Sequence, residues 1–188
     1  NLIDVASKDT GNIDILVNNA GISIWKKLEN IDEDFFHNTI DTNLKGTLFC
    51  CKFVINFMKK RGVIINIASL AGKRGSKNNS VYVASKFGVV GITQALAKEL
   101  GEKSIRVNSI CPVYIDTPTL LSNLSGDHPE VGNQNPSEFL NQWGKANAAL
   151  KRLPTGEECA DTCLYLASDS SSAITGQNIN IDCGVLPQ

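Results

Sequence analysis

The chain has 188 residues, of which 42% are hydrophobic, 20% are charged and 15 are glycine. This composition is typical of one globular domain with a buried core, and it excludes disordered, collagenous and coiled-coil classes. The 18 basic residues nearly balance the 19 acidic residues, so we expect no broad attraction to nucleic acid or to an anionic membrane.

The first half of the chain alternates short apolar runs with long helical patterns. Ile13 to Val17 is a β-branched run that turn formers stop, which predicts a strand buried on both faces. Apolar residues recur at three- and four-residue spacing from Asp32 to Lys60 and predict one long helix. Val63 to Ala68 predicts a second buried strand, and Val81 to Leu100 predicts a second long helix.

A polar interruption divides the second half of the chain. Ile105 to Cys111 predicts a third strand, and residues 117–150 then become polar and rich in Pro, Gly and Asn. That composition is typical of a loop or lid, here with a short helix from Ser137 to Leu150. We therefore expect residues 117–150 to form a substrate loop.

The end of the chain returns to the alternating pattern. Thr155 and Glu158 have the spacing of a capping box and precede a helical pattern from Cys159 to Ala167. Asn178 to Ile181 predicts the last strand. Strands that alternate with helices predict an α/β fold with a doubly wound parallel sheet, Rossmann-like, which binds ligands at the carboxyl ends of its strands.

Tyr82 and Lys86 lie four residues apart near the start of the second long helix, so they share one face of it. A phenol with a pKa of about 10 is a poor acid or base at neutral pH, but an adjacent ammonium lowers that pKa. Such a pair alone is more often a solvated helix face than a catalytic pair. Its surroundings decide between the two interpretations.

Two further residues favour a catalytic interpretation. Ser69 ends a predicted strand, which places its hydroxyl where α/β proteins bind ligands, although a strand-end Ser is more often a turn or cap residue. Asn43 is a poor helix former inside a helical pattern. It predicts either a local kink or a site that holds a water molecule.

The order and spacing of these residues resemble the classical short-chain dehydrogenase/reductase family. The matching residues are Asn18-Asn19-Ala20-Gly21 after the first predicted strand, Asn43, Ser69 and Tyr82-Val83-Ala84-Ser85-Lys86. The resemblance continues through Arg106 to Pro112, through Thr117 and into Ile174 to Asp182. It covers essentially the whole chain and is weakest from Leu120 to Leu150.

The resemblance implies hydride transfer between the nicotinamide of NAD or NADP and a small-molecule carbonyl or secondary alcohol. Tyr82 would exchange a proton with the substrate oxygen, and Ser69 would donate a hydrogen bond to that oxygen. Lys86 would lower the pKa of Tyr82 and bind the nicotinamide ribose, while Asn43 would hold a water in a proton relay. The residues implied to bind the cofactor are Asn18, Ala20, Gly21, Tyr82, Lys86, Pro112, Ile115 and Thr117.

The resemblance also implies a homo-oligomer, either a dimer or a tetramer, assembled on the two long helices. Substrate choice would lie in residues 120–150 and 23–27. Trp25 and Trp143 in these segments line a pocket, or Trp143 simply anchors a lid helix.

The sequence departs from the family in three places. The family begins with a strand and a Gly-rich turn that binds the pyrophosphate, and neither is found here. We therefore expect residues 1–188 to be a single, N-terminally incomplete domain covering the C-terminal part of the fold. Val113 and Cys183 stand where the family usually has Gly, and Val113 affects the approach of the backbone to the nicotinamide.

Several alternatives remain open. The chain could be a catalytically silent relative that binds or senses a dinucleotide, a truncated inactive fragment, or a related epimerase or dehydratase. Cys159 and Cys163 lack the further ligands of a metal site, and His37 and His128 are isolated, so we predict no metal.

The location of the protein is predicted from its cysteines and its apolar runs. Six scattered cysteines favour reduced thiols in the cytoplasm. No apolar run approaches the roughly 20 residues that cross a bilayer. The predicted partners are therefore a small molecule and a second copy of the chain, with no membrane and no nucleic acid.

Overall fold

The computed structural model describes residues 2–8, 11–59, 61–125, 128 and 130–187. Within these ranges the chain forms a four-stranded sheet in the order β1-β2-β3-β4, with every neighbouring pair parallel. Val17 of β1 pairs with Ile65 of β2, and Ile65 pairs with Asn108 of β3. The strands are β1 Ile15–Asn18, β2 Val63–Ile67, β3 Arg106–Pro112 and β4 Asn178–Ile181. All four predicted strands are confirmed, with small shifts at their ends.

The helices cover both faces of the sheet. They are α1 Leu2–Ala6, α2 Glu33–Ile40, α3 Gly46–Val54, α4 Ser80–Leu100, α5 Pro118–Leu124, α6 Pro136–Asn147 and α7 Gly156–Ala167. Ile64 of β2 packs with α3 and α4, whereas its neighbours Val63 and Ile65 pack with Leu166 of α7. Because successive strand residues point to opposite faces, the predicted doubly wound, Rossmann-like α/β fold is confirmed.

The long helix predicted from Asp32 to Lys60 is interrupted in the structure. A π-helical turn spans Asp41–Lys45 between α2 and α3, and α3 ends at Val54, while Lys60 lies outside the described residues. The kink predicted at Asn43 is therefore confirmed. Its cause is tertiary, because the Asn43 side chain bonds to the loop after β1.

The prediction that the first strand is buried on both faces is wrong. Ile15 is 47% exposed and Val17 is 46% exposed, while Leu16 between them packs against the core. β1 has a strand neighbour on one side only in the described sheet. On the exposed face α7 packs against β2 and β3, so it leaves the β1 side chains uncovered.

Residues 117–150 are more regular than the sequence predicts. The helix expected from Ser137 is confirmed as α6, but α5 was not predicted. Thr117 accepts a hydrogen bond from Leu120 N and Pro118 stands in the first turn, which are ordinary start signals for a helix. Leu124, Val131 and Leu140 form a small core of this segment, whose residues 126, 127 and 129 lie outside the described ones.

The predicted capping box at the start of α7 is confirmed. Glu158 N donates to Thr155 Oγ1 at 3.2 Å, and Thr155 N donates to Glu158 Oε2 at 2.9 Å. The described helices include none that is both long enough and apolar enough to cross a membrane.

Candidate active site

A cavity of about 280 Å³ opens at the carboxyl ends of the strands. It lies between the loop after β1, the turn after β2, the loop after β3 and the first turns of α4. Gly21, Ser69, Tyr82, Lys86, Pro112 and Ile115 all line it. We call it the strand-end cavity, and it occupies the place where α/β sheets bind their ligands.

Tyr82 stands at the centre of this cavity. Its hydroxyl hydrogen-bonds to the hydroxyls of Ser69 and Ser23, which lower its pKa, but burial outweighs them and raises the pKa above its usual value. The net direction is opposite to the lowering that its spacing from Lys86 predicts. Tyr82 is therefore held in the protonated form at neutral pH.

Ser69 caps a turn, as one of its two predicted roles requires, and its hydroxyl lies beside Tyr82. It precedes the short 3-10 turn Leu70–Gly72, and its Oγ accepts from Ala71 N at 3.1 Å, so it caps that turn. Its hydroxyl also lies 3.5 Å from the Pro112 carbonyl and bonds to Tyr82. The cap fixes the hydroxyl next to the phenol.

Lys86 is buried beside Tyr82. Its Nζ lies 5.7 Å from the centre of the Tyr82 ring and donates to the Ile67 carbonyl at 2.8 Å. Burial lowers the pKa of Lys86 to about 8. The ammonium is thus fixed at the end of β2, and its charge changes close to physiological pH.

The Asn43 side chain links the loop after β1 to helix α4 through hydrogen bonds. Its Oδ1 accepts from Ile22 N at 2.8 Å, and its Nδ2 donates to Ile22 O at 2.9 Å and to Ser85 Oγ at 3.1 Å. Ser85 Oγ in turn donates to the Tyr82 carbonyl at 2.7 Å. The side-chain amide is occupied by protein groups, so a water held at Asn43 would bind its main-chain carbonyl, which also accepts from Thr47.

The residues predicted to bind the cofactor are not all in one place. Gly21, Tyr82, Lys86, Pro112 and Ile115 line the strand-end cavity, whereas Asn18, Ala20 and Thr117 do not. Thr117 caps α5 and borders a neighbouring cleft.

Asn18 of β1 belongs to a network of polar side chains that links β1, β2 and α4. Its Nδ2 donates to Asn66 Oδ1 at 2.8 Å and lies 3.2 Å from Cys51 Sγ. Asn66 Nδ2 continues to Thr93 Oγ1 at 2.9 Å. This network fixes the loop after β1, which places Gly21 in the cavity.

Because Gly21 has no side chain, it leaves a space in the strand-end cavity that a Cβ atom would fill. A Cβ built on it would lie 3.3 Å from Asn43 Oδ1 and 3.6 Å from Lys86 Nζ. The resemblance implies a cofactor in this cavity, and Gly21→Ala should then raise the cofactor KM severalfold, because the methyl group narrows the cavity, and cost about 1 kcal/mol of stability, the low end of the range for overpacking. Steady-state kinetics and urea unfolding measure the two effects.

Gly91→Ala is the matched control for this substitution. It lies on α4, where an added Cβ meets nothing within 4 Å, and Ala in a helix interior stabilises by about 0.5–1 kcal/mol. An unchanged cofactor KM in Gly21→Ala would contradict a role for this space.

Aromatic side chains form the outer wall of the cavity. Tyr114 lies between Trp25 and Trp143, with ring centres 6.3 Å and 5.0 Å away. The prediction that both tryptophans line a pocket is confirmed. Trp143 lies on α6, and its ring packs edge-on against Tyr114 of the loop after β3.

Sequence reasoning gave no role to Gly72, Asn79, Ser85 or Tyr114, and it named Ser23 only as part of a segment for substrate choice. Ser85 lies inside the Tyr-x-x-x-Lys motif, so its position could have signalled it. The others are brought to the site by loops whose course the local sequence does not determine.

The two single-residue departures from the family pattern, Val113 and Cys183, have different structural consequences. Val113 lines the cavity, and its N–H donates to the Ile181 carbonyl at 3.2 Å, so it continues the strand pairing. Cys183 has a φ of 54°, in the left-handed region that favours glycine. Its backbone is strained, but it does not line the strand-end cavity.

The residues considered as metal ligands serve packing instead. Cys159 and Cys163 pack against the core between α7 and the sheet. His128 packs edge-on against Trp25 at 4.8 Å, and its Nδ1 accepts from the backbone of Glu130 and Val131. In the part of the chain that the structure describes, no three His, Cys, Asp or Glu residues could together hold a metal ion.

Comparison with known proteins identifies the family. A family model described as enoyl-(acyl carrier protein) reductase matches residues 1–186. The 3-oxoacyl-[acyl-carrier-protein] reductase of Chlamydia muridarum is 41% identical over 177 residues, which cover 93% of this chain and 66% of that protein. The chain thus spans slightly less than two thirds of the length of this relative.

Solved structures have the same fold. The ligand-free aldohexose dehydrogenase of Thermoplasma acidophilum matches with a TM-score of 0.89 at 32% identity, over 100% of this chain and 76% of that one. Carveol dehydrogenase from Mycobacterium avium, in complex with NAD, matches with a TM-score of 0.88 at 28% identity, over 97% and 68% of the two chains. Together with the family model and the strand-end Ser, Tyr and Lys, these matches show that the chain belongs to the short-chain dehydrogenase/reductase family.

Proposed function

We propose that the protein is an NAD- or NADP-dependent oxidoreductase that interconverts a carbonyl compound and a secondary alcohol. The observation that carries this proposal is the Tyr82 hydroxyl, bonded to Ser69 and adjacent to buried Lys86, at the strand-end cavity. Family membership and relatives that are dehydrogenases and reductases support it. The three side chains are the catalytic residues of this proposal, and Asn43 positions them.

The cavity suits the nicotinamide end of the cofactor. Gly21 leaves a space beside Lys86 Nζ that a Cβ would fill, and Pro112 and Ile115 form the opposite side. In this proposal Lys86 holds the ribose hydroxyls. Asn18 and Ala20 act through the loop that carries Gly21, and Thr117 contacts the more distant phosphate side.

The protein residues supply the proton and stabilise the charge. When bound, the nicotinamide would supply the hydride for the new C–H bond at the carbonyl carbon. Tyr82 gives its hydroxyl proton to the carbonyl oxygen as negative charge develops there, while Ser69 donates a hydrogen bond to the same oxygen. The Lys86 ammonium stabilises the resulting Tyr82 phenolate, which solvent then reprotonates. Alcohol oxidation reverses each step.

The proposal also covers the substrate lid, the oligomeric state and the location of the protein. Residues 117–150, with α5 and α6, act as a lid over the substrate. Exposed Phe49 and Phe53 of α3 and Phe87 of α4 support a homo-oligomer, a dimer or tetramer, assembled on these helices. Six unpaired cysteines support a reducing, cytoplasmic location.

Ketone reduction should depend on pH through Lys86. Below its pKa of about 8, Lys86 carries its charge, and Tyr82, whose pKa is raised, carries its proton. As the pH rises through about 8, Lys86 loses its charge, so kcat for reduction should fall. A kcat–pH profile checks this, and a profile that stays flat across that range would count against the role of Lys86.

The proposed function is tested by following oxidation of NADH and of NADPH by the full-length protein with a panel of ketones. We expect turnover with at least one cofactor. Cofactor binding without turnover of any ketone would indicate a silent binding relative instead. A redox-neutral product, with no net cofactor oxidation, would indicate an epimerase or dehydratase.

A further inference from the structure

Arg74 is a charged residue of the strand-end cavity that the proposed reaction does not use. Among the described residues that line this cavity, the charged ones are Arg74 and Lys86, and none is Asp or Glu. Lys86 is buried and donates to the Ile67 carbonyl at 2.8 Å. Arg74 is exposed, and its side chain forms no hydrogen bond or ion pair with any residue that the structure describes. The Arg74 guanidinium is therefore available to a ligand.

The backbone of Arg74 is fixed next to the reacting groups. Arg74 N donates to the Leu70 carbonyl at 3.2 Å, and Leu70 begins the 3-10 turn that Ser69 caps. The next element along the chain is α4, which carries Tyr82. Arg74 thus lies on the short connection between Ser69 and Tyr82, the two residues that hold the substrate carbonyl in the proposed function.

The Arg74 guanidinium lies near Tyr114 of the aromatic wall. Burial raises the pKa of Tyr114, the nearby Glu130 carboxylate raises it further, and the Arg74 charge lowers it. Tyr82 acts on the same hydroxyl, so Arg74 and Tyr82 both lie within electrostatic reach of Tyr114. Glu130 neither lines the cavity nor forms an ion pair with Arg74. Because Tyr114 keeps its proton at neutral pH, it does not repel an anion bound at Arg74.

An unpaired guanidinium at a cavity that no carboxylate lines favours an anionic ligand. Arg holds a carboxylate through two parallel hydrogen bonds, which fix the orientation of the ligand as well as adding affinity. A molecule with a carbonyl at one end and a carboxylate at the other can contact Tyr82 and Arg74 together. Its hydrocarbon part then lies along the aromatic wall of Trp25, Tyr114 and Trp143.

We propose that Arg74 is a specificity-determining residue, which binds the carboxylate of a substrate whose ketone is reduced at Tyr82. This inference rests on the proposed function and specifies its substrate class, keto acids and the corresponding hydroxy acids. The carboxylate takes no part in the reaction and orients the ketone. Neutral ketones leave the Arg74 charge without a partner and bind less tightly.

The two tryptophans of the sequence provide a binding assay that does not depend on turnover, because Trp25 and Trp143 both line the cavity. The full-length protein, with and without saturating NAD⁺ or NADP⁺, is titrated with levulinate and with its homologues that are one and two methylene groups longer. Each keto acid is compared with its primary amide, which has the same shape and no charge. Quenching of tryptophan fluorescence gives each Kd. The oxidised cofactor cannot reduce the ketone, so binding is measured without reaction.

We expect at least one of the three keto acids to bind about tenfold more tightly than its amide, the difference made by hydrogen bonds between two charged groups. In Arg74→Gln, which removes the charge, the Kd of that acid should rise to that of its amide. Lys77→Gln is the matched control. Lys77 is an exposed cation on the same loop that does not line the cavity, so this variant should keep the preference.

Thermal unfolding separates a role in specificity from a structural one. Because the Arg74 side chain bonds to no described residue, the Tm of Arg74→Gln should equal that of the wild type. Arg106→Gln is the contrasting control, since Arg106 Nη2 donates to the Leu166 carbonyl at 2.8 Å and to the Ser168 carbonyl at 3.1 Å. Its Tm should fall clearly.

Each outcome decides the inference. Equal Kd values for every acid and its amide in the wild type, a preference that survives in Arg74→Gln, or an equal loss in Lys77→Gln would overturn it. A fall in Tm for Arg74→Gln like that for Arg106→Gln would also overturn it. Hydride transfer to acids and amides with equal affinities would leave the proposed function standing without this specificity. A preference lost in Arg74→Gln, but no hydride transfer from NADH or NADPH, would support the binding role of Arg74 and reject the proposed function.

Discussion

Replacement of Tyr82 by Phe is expected to lower kcat for ketone reduction by about 10²–10⁴-fold, which is the usual contribution of a positioned general acid. The change removes the hydroxyl that bonds to Ser69 and Ser23 and leaves the ring in place. The main-chain carbonyl of Tyr82, which accepts from Ser85 Oγ at 2.7 Å, is unaffected. The substrate KM should therefore change little, and stopped-flow or steady-state kinetics would separate kcat from KM.

Tyr165→Phe is the control for this substitution. Tyr165 lies on α7, is 44% exposed and does not line the strand-end cavity, so its loss of a hydroxyl should leave kcat unchanged. If Tyr82→Phe retained more than about a tenth of the wild-type kcat, Tyr82 could not be the proton donor.

Gly72→Ala is expected to damage both stability and activity. A Cβ at Gly72 would lie 2.7 Å from the Lys86 carbonyl oxygen and 3.0 Å from the Lys86 carbonyl carbon. These are backbone atoms of α4, so either the turn after Ser69 or the helix must move. Overpacking of this kind costs about 1–3 kcal/mol. Because the turn carries Ser69 and the helix carries Lys86, kcat should also fall, by about 10²-fold if the shift reaches 1 Å.

Gly75→Ala provides the comparison for Gly72→Ala. It lies three residues further along the same loop, where an added Cβ meets nothing within 4 Å. Urea unfolding and kcat should both stay near the wild-type values. Equal behaviour of the two alanine variants would show that the contact between Gly72 and Lys86 does not position the site.

The sequence predicts the sheet well because its signals are local. The strand signals of β2 and β3 lie within the strands themselves, and the Thr155–Glu158 capping box is complete within four residues. The same holds for the spacing of Tyr82 and Lys86, which one helix enforces. Each of these features can therefore be predicted from a short stretch of sequence.

The features that were missed depend on contacts distant in sequence. The kink at Asn43 was predicted from its low helix propensity, but its cause was not, because Asn43 bonds to Ile22, which lies 21 residues away in the sequence. The pKa of Tyr82 depends on its burial and on Ser23, which only the folded loop brings near. The exposure of Ile15 and Val17 reflects the packing of α7 over β2 and β3.

The central claim is that a hydride passes to a carbonyl carbon while Tyr82 supplies the proton. The most direct test incubates the full-length protein with a panel of ketones and with NADH or NADPH deuterated at the transferred position, then measures the mass of the product. We expect a secondary alcohol that carries one deuterium on the new carbinol carbon, formed at a rate that falls about 10²–10⁴-fold in Tyr82→Phe. A product without deuterium, or an equal rate in the two proteins, would contradict it.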